Sequence, residues 1–303
     1  MSILVIGSVA FDTISTPFGA ADDVLGGSAC YFSTSASFFT DVNLVAVVGD
    51  DFPQQHIDFL SSRGIGLEGL QRAEGQTFRW KGRYEYDLNE AHTLDTQLNV
   101  FEQFKPVLPE SYRQAEYVFL ANIDPELQLE VLEQVKNPKL VACDTMNFWI
   151  SGKRDALIRT LARVDTLVIN EAEVRQLANE PNLVKAASIV RGFGPKTLVV
   201  KRGEYGVLMF GAHSIFSAPA YPLEEVFDPT GAGDTFAGGF VGYLASTRNL
   251  EESNLRKAIV FGTVMASFTV ERFSLDRLRN LEYQEIEDRY RRIKLLTDFG
   301  QLD

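Results

Sequence analysis

One run of the chain carries most of its chemistry. Phe227-Asp228-Pro229-Thr230-Gly231-Ala232-Gly233-Asp234-Thr235-Phe236 passes from a strand-breaking proline through two glycines into a small, apolar stretch. Pro229 cannot extend a central strand, so the chain turns there. The stretch after it reads as a helix, whose first N–H groups lack intrahelical acceptors and whose dipole adds about half a positive charge. With no Cβ on Gly231 or Gly233, an anion can come within hydrogen-bond distance of the backbone. Asp234 falls in the first turn, beside such an anion. Preorganised N–H donors suit a transferring phosphoryl group, and a neighbouring carboxylate can take the proton of an attacking hydroxyl. The plainer alternatives are an aspartate that complements the dipole and glycines placed for tight helix packing.

The elements that must hold this segment are legible as an alternation. Ile3–Val9, Asn43–Gly49, Glu116–Ala121, Lys139–Asp144, Thr166–Asn170 and Thr197–Lys201 are short apolar, β-branched runs, as in strands buried on both faces of a parallel sheet. Pro125–Val135, Arg154–Val164 and Glu171–Ala178 have helical spacing between them. The pattern predicts a single α/β domain over residues 1–303, a doubly wound, mostly parallel sheet flanked by helices. From about Gly231 onward the chain reads as mostly helical, with Phe236–Ala245 and Leu255–Val270 packed closely. In Glu282–Leu296, Arg289, Arg291, Arg292 and Lys294 read as a solvated face.

Thr77–Asp87 breaks the rhythm with a period of two. Phe78, Trp80, Tyr84 and Tyr86 would share one face, and Arg79, Lys81, Arg83 and Glu85 the other. This predicts an antiparallel strand outside the main sheet, half of a hairpin over a cleft or a plain edge strand. A small β-lid would then be inserted from about 11–27 and 74–105.

Composition and motifs exclude several classes. The chain is 45% hydrophobic and 23% charged, which supplies a core and a surface and rules out disorder as the main state. With 29 Lys+Arg against 41 Asp+Glu the net charge is −12, which disfavours nucleic acid or an anionic membrane as partner. Cys30 and Cys143 give neither a disulfide framework nor a CxxC pair and read as buried thiols. No leader or apolar span is evident, so a reduced, cytoplasmic location is expected. A P-loop is absent, since Gly152-Lys153 is followed by Arg154, and Gly7-Ser8-Val9 does not make a dinucleotide fingerprint. His56, His92 and His213 are too scattered to ligate zinc and read as surface or loop residues.

Asp228-Pro229-Thr230-Gly231-Ala232-Gly233-Asp234-Thr235-Phe236 resembles the C-terminal signature of the ribokinase-like, PfkB-type carbohydrate and nucleoside kinases. Ile6–Asp12 is similar to the family's opening strand, Gly26-Gly27-Ser28-Ala29 to its di-glycine helix start, and Val48–Phe52 to its Val-Gly-Asp-Asp turn. Asn170-Glu171-Ala172-Glu173 matches its Asn-Xaa-Xaa-Glu motif, and Val200–Gly203 its late nucleotide-side strand. The resemblance implies ATP- and Mg²⁺-dependent transfer of the γ-phosphoryl group to an alcohol. Asp234 would be the general base, and Gly231, Ala232 and Gly233 the anion hole. Asp12, Gly26, Gly27, Asn147 and Arg79 would bind the acceptor. Asn170, Glu173, Lys201, Gly203, Gly206, Thr230 and Thr263 would serve the nucleotide, with Glu173 holding Mg²⁺ through water. The resemblance also implies a homodimer through the lid.

Departures place the chain on a divergent branch. Ser28 stands where ribokinase has lysine, and Asp144-Thr145-Met146-Asn147 is one residue longer than the usual Asp-Xaa-Asn. Glu271-Arg272-Phe273-Ser274 replaces a region often carrying glycine, which leaves open whether Asp228 serves a monovalent cation such as K⁺. The acceptor also stays open. An inward aromatic face on the 77–87 strand suits a neutral sugar, polyol or nucleoside, and an inward basic face a phosphorylated or acidic sugar. A non-catalytic ligand sensor on the same fold is the alternative from another class.

Overall fold

A computed structural model describes residues 2–212 and 214–298. Its strands, in chain order, are β1 (Ser2–Ile6), β2 (Ala10–Thr16), β3 (Gly19–Gly26), β4 (Asp41–Val48), β5 (Ile65–Arg72), β6 (Phe78–Tyr84) and β7 (Ala91–Gln97). They continue with β8 (Tyr117–Leu120), β9 (Leu140–Asp144), β10 (Thr166–Asn170), β11 (Thr197–Lys201), β12 (Val207–Phe210) and β13 (Ile215–Ala218). The helices are α1 (Ser28–Ala36), α2 (Gln54–Ser62), α3 (Pro125–Gln134), α4 (Asn147–Gly152), α5 (Arg154–Leu161) and α6 (Glu171–Ala178). After them come α7 (Leu183–Arg191), α8 (Ala232–Thr247), α9 (Glu252–Thr269), α10 (Asp276–Arg279) and α11 (Tyr283–Leu296).

Nine strands form the main sheet in the order β13-β12-β11-β10-β9-β8-β1-β4-β5. All its pairings are parallel except β11–β12 and β12–β13. The apolar runs are continuous because both faces are covered. Ile3, Val5, Leu44, Phe119, Val168 and Val199 pack toward α1, α8 and α9. Leu4, Ile6, Val45, Val118, Leu167 and Leu198 face α3, α5, α6 and α7. Gly238 and Gly242 lie against α1, and Gly239 against α9, so α8 approaches both helices closely. None of the described helices is long and apolar enough to cross a membrane.

A second sheet has the order β3-β2-β6-β7. The 77–87 stretch is β6, but it runs parallel to β2 and antiparallel only to β7, so the expected hairpin accounts for one of its two edges. The strand ends at Tyr84, which leaves Tyr86 88% exposed and outside the aromatic face. Arg289 departs from the expected solvated face of α11. Its guanidinium pairs with Glu271 at 2.6 Å and lies 3.5 Å from the Phe268 ring centroid, a planar cation suited to burial against an aromatic face. His56 is likewise not a loop residue: it lies in α2, against the rings of Phe11 and Phe52. His213 lies outside the described residues.

Candidate active site

The C-terminal ends of the central strands face one cleft, the usual place for ligands in open α/β sheets. Asp144 is the last residue of β9, Asn170 of β10 and Lys201 of β11, so three polar side chains end three adjacent strands. The start of α8 closes this end of the cleft. Gly231 is its N-cap with φ 72°, a left-handed conformation that carries a steric cost for residues with a side chain. A Cβ there would also overlap the ring of Tyr31 from α1. The turn before it is fixed by the buried Asp228, whose carboxylate accepts the N–H of Thr230 at 2.9 Å and of Ser274 at 3.0 Å. Both oxygens of Asp228 therefore already hold backbone donors.

The expected anion cradle is only partly free. The Ala232 N–H donates to the Pro229 carbonyl at 3.2 Å. The N–H groups of Gly231 and Gly233 have no protein acceptor among the described residues, and no side chain caps the helix. Asp234 stands in the first turn. Burial, with the nearby Asp144, pushes its carboxyl up to about 7, while the Lys201 ammonium pulls the other way.

Lys201 and Asp144 form a salt bridge of 3.0 Å with side chains 19% and 6% exposed. The Lys201 Nζ lies 2.8 Å from where a Cβ on Gly233 would be. Burial opposes its charge, but Asp144, Glu173 and Asp234 hold its proton affinity above the ordinary value. Asn170 and Glu173 are engaged with each other. The Asn170 side chain accepts the Glu173 N–H at 2.8 Å, and the Glu173 carboxylate accepts the Asn170 N–H at 3.0 Å, a capping box that opens α6. Burial, helped by Asp144, lifts Glu173 to about 7, opposed by Lys201 and by the amides of Asn170 and Asn147.

Asp144, Glu173 and Asp234 thus share one lysine, a surplus of acidic groups that suits a divalent cation bound with phosphate. Among the described residues no three acidic, histidine or cysteine side chains converge at metal-ligand spacing. A metal ion here would accordingly be held largely through water and phosphate oxygens.

The wall facing the α8 start is built on β2. Asp12 is 4% exposed and takes the Gly27 N–H; burial, with Asp228 and Asp234 nearby, lifts it to about 7. Gly26 presents bare backbone to this carboxylate, and any Cβ there would overlap it. Ser28 exchanges backbone-to-hydroxyl hydrogen bonds with Ser8 at 3.0 and 3.3 Å, which locks the α1 start onto the end of β1. Tyr84 reaches in from β6, and its oxygen accepts the Thr230 hydroxyl at 3.3 Å. The buried Tyr31 hydroxyl has no protein partner. Burial holds both phenols in the neutral, proton-donating form.

Several expected residues lie at the rim or are engaged by the protein itself. Arg79 is held by Asp23 at 2.5 Å and Asp51 at 3.0 Å on the rim, so its fork is already occupied by carboxylates. Lys81 and Arg83 are on the exposed face of β6, and Tyr84 is on the buried one. Asn147 opens α4, and its backbone amide serves the Glu173 carboxylate. The Thr263 hydroxyl donates to Ile259 within α9 at 3.0 Å. Gly203 and Gly206 shape the β11–β12 turn, where Glu204 N–H donates to Asn89 from the tip of the β6–β7 hairpin at 3.4 Å. Asp144 and Tyr31 were absent from the expected set. The first was signalled by its place at the end of an apolar strand and by the Asp-Xaa-Asn-like run it opens, and α1 has no periodicity that marks the second.

Residues 4–278 match the family described as pfkB family carbohydrate kinase. The chain is 34% identical over 259 residues to a cytidine kinase of Thermococcus kodakarensis, covering 83% of this chain and 91% of that one. Its fold is similar to the Methanocaldococcus jannaschii nucleoside kinase, an archaeal member of the ribokinase family. There the TM-score is 0.76 at 20% identity, covering 96% of this chain and 98% of the other. It is also similar to a putative ribokinase II from E. coli in complex with ATP and Mg²⁺, with TM-score 0.79 at 18% identity and coverage of 96% and 99%.

Proposed function

The chain belongs to the pfkB family of carbohydrate kinases and is a kinase, and we propose that it transfers the γ-phosphoryl group of ATP to a hydroxyl of a neutral nucleoside or sugar. The observation that carries this reading is the α8 start, where the unpartnered amides of Gly231 and Gly233, Lys201 and Asp234 meet.

Asp234 takes the proton of the acceptor hydroxyl; a carboxylate lifted to about 7 is matched to that task near neutral pH. The Gly231 and Gly233 amides stabilise charge on the phosphoryl oxygens. Asp12, the bare backbone of Gly26 and Gly27, and Tyr84 hold and orient the acceptor, whose hydroxyls find both acceptor and donor groups there. Asn170, Glu173, Lys201, Gly203, Gly206 and Thr230 line the nucleotide side. Glu173 would hold Mg²⁺ through water beside the nucleotide, where the ion would supply neutralisation of phosphate charge. The placement of Lys81 and Arg83 on the exposed face, and of Arg79 between two carboxylates, favours an uncharged acceptor over a phosphorylated one. Similarity to a cytidine kinase favours a nucleoside.

The test is ADP release with Mg·ATP across nucleosides, pentoses, polyols and sugar phosphates. A neutral acceptor, turned over by the parent and lost in Asp234→Asn with ATP binding retained, supports the reading. Ligand-induced thermal stabilisation without ADP from any acceptor would instead support a sensor.

A further inference from the structure

We propose that Lys201 is a catalytic residue, a protein-borne cation that takes an oxygen of the transferring phosphoryl group at the α8 cradle, and that Asp144 is the positioning residue that holds it there. This rests on the kinase reading above and extends it to one ion pair. Asp144 and Lys201 end strands β9 and β11, on either side of β10, so the sheet itself sets their spacing. An ammonium has three donors, and Asp144 takes one of them at 3.0 Å. Among the described residues no second protein acceptor meets the Nζ. Its remaining protons lie beside Gly233, whose own N–H also has no acceptor. A mostly buried cation with open donors, next to an amide with none of its needs met, is costly unless an anion completes both. A phosphoryl group between them does so.

The transfer forms a P–O bond to the acceptor oxygen and breaks the bond to the bridging oxygen of the nucleotide. The nucleoside diphosphate leaves with the bonding electron pair, and the acceptor proton goes to Asp234. Lys201 keeps its protons throughout. The pair also acts on the base. Facing Asp234 are Asp144 and Lys201 from the strand ends, Asp12 from β2, Tyr31 from α1 and Tyr84 from β6. Only Lys201 in that set is a cation, so its loss disfavours the ionised base, whereas loss of the Asp144 charge favours it.

Lys201→Met, Asp144→Asn and the double variant would be assayed by ADP release on the best acceptor, with pH profiles of kcat/KM. Lys201→Met should lower kcat by roughly 100-fold, with ATP KM changed far less, as expected for a group acting on transition-state charge. Its acid limb should move to higher pH. Asp144→Asn should lose about tenfold in kcat and move the limb to lower pH. The double variant removes both partners of the ion pair, so it should fold closer to the parent than Lys201→Met does and stay as slow as that variant. Lys201→Met within about threefold of parental kcat, or limbs that shift the same way in both single variants, overturns the proposal. If Asp234→Asn is inactive while Lys201→Met is not, this inference alone fails; if Asp234→Asn also keeps parental turnover, the kinase reading of Asp234 fails with it.

Discussion

Asp12 and Asp234 belong to opposite walls of one site, close enough for the charge of Asp234 to act on Asp12, and burial lifts both carboxyls to about 7. Their neighbours differ. Asp12 accepts the Gly27 N–H, lies under bare glycine backbone, and has other carboxylates, Asp228 and Asp234, as its charged company. Asp234 has a cation within reach and a helix start with open donors beside it. A raised proton affinity by itself is therefore not the mark of a base. At Asp12 it accompanies a fixed acceptor of hydrogen bonds; at Asp234 it accompanies a place where negative charge can arrive.

The largest effect that would sharpen this contrast is on turnover. Asp234→Asn should lower kcat by about 10³-fold, measured by ADP release, since general-base removal costs about 10²–10⁴. Asp12→Asn should act chiefly on acceptor KM, with kcat/KM down by about 10–100-fold and ATP KM unchanged. Equal kcat losses in the two variants would break the distinction.

A smaller effect separates the two aspartates by backbone. Gly231→Ala places a Cβ on the Tyr31 ring at a positive φ and should cost about 1–3 kcal/mol of stability with a higher ATP KM. Gly26→Ala meets the Asp12 carboxylate and should raise acceptor KM only. Steady-state kinetics with each substrate varied decides between them.

Stability against pH gives a gentler probe. Asp12 and Asp234 rise from the ordinary 3.8, and Glu173 from 4.5, to about 7 on folding. The folded chain thus holds more protons than the unfolded one between about pH 4 and 7, and these groups make stability fall as pH rises through that window. Asp12→Asn should flatten the fall, by at most about 1.4 kcal/mol per pH unit, in urea denaturation series. A slope unchanged by the substitution would show that Asp12 ionises freely. Smallest of all, Tyr84→Phe should raise acceptor KM a few-fold and leave ATP KM alone, the scale of one neutral hydrogen bond.

Much of the fold was open to reading because burial on both faces writes itself as unbroken apolar runs; Thr166–Asn170 and Thr197–Lys201 begin and end where the runs do. The parallel pairing of β6 with β2 was not, since strand partners far apart in the chain leave no local trace. The α8 turn was legible through proline and glycine, whose backbone demands are specific to residue type. Asn170 and Glu173 were ambiguous for a physical reason: the spacing that suits a phosphate-side pair is also that of a capping box, which is what the two form. Arg289 was misread because charge alone does not say whether an aromatic ring lies beneath it.

The chain leaves β1 for β2 through Gly7–Val9, so Asp12 belongs to the sheet that covers the cleft, and Asp234 to the helix beneath it. Any tilt of the covering sheet carries Asp12 along. On the proposed function, an acceptor held there would move with that sheet, and its hydroxyl would meet Asp234 only where the sheet also covers the site. On the same reading, alignment and exclusion of water would then arrive together, at a joint set by the four segments that tie the second sheet to the rest of the chain, 7–9, 27, 73–77 and 98–116.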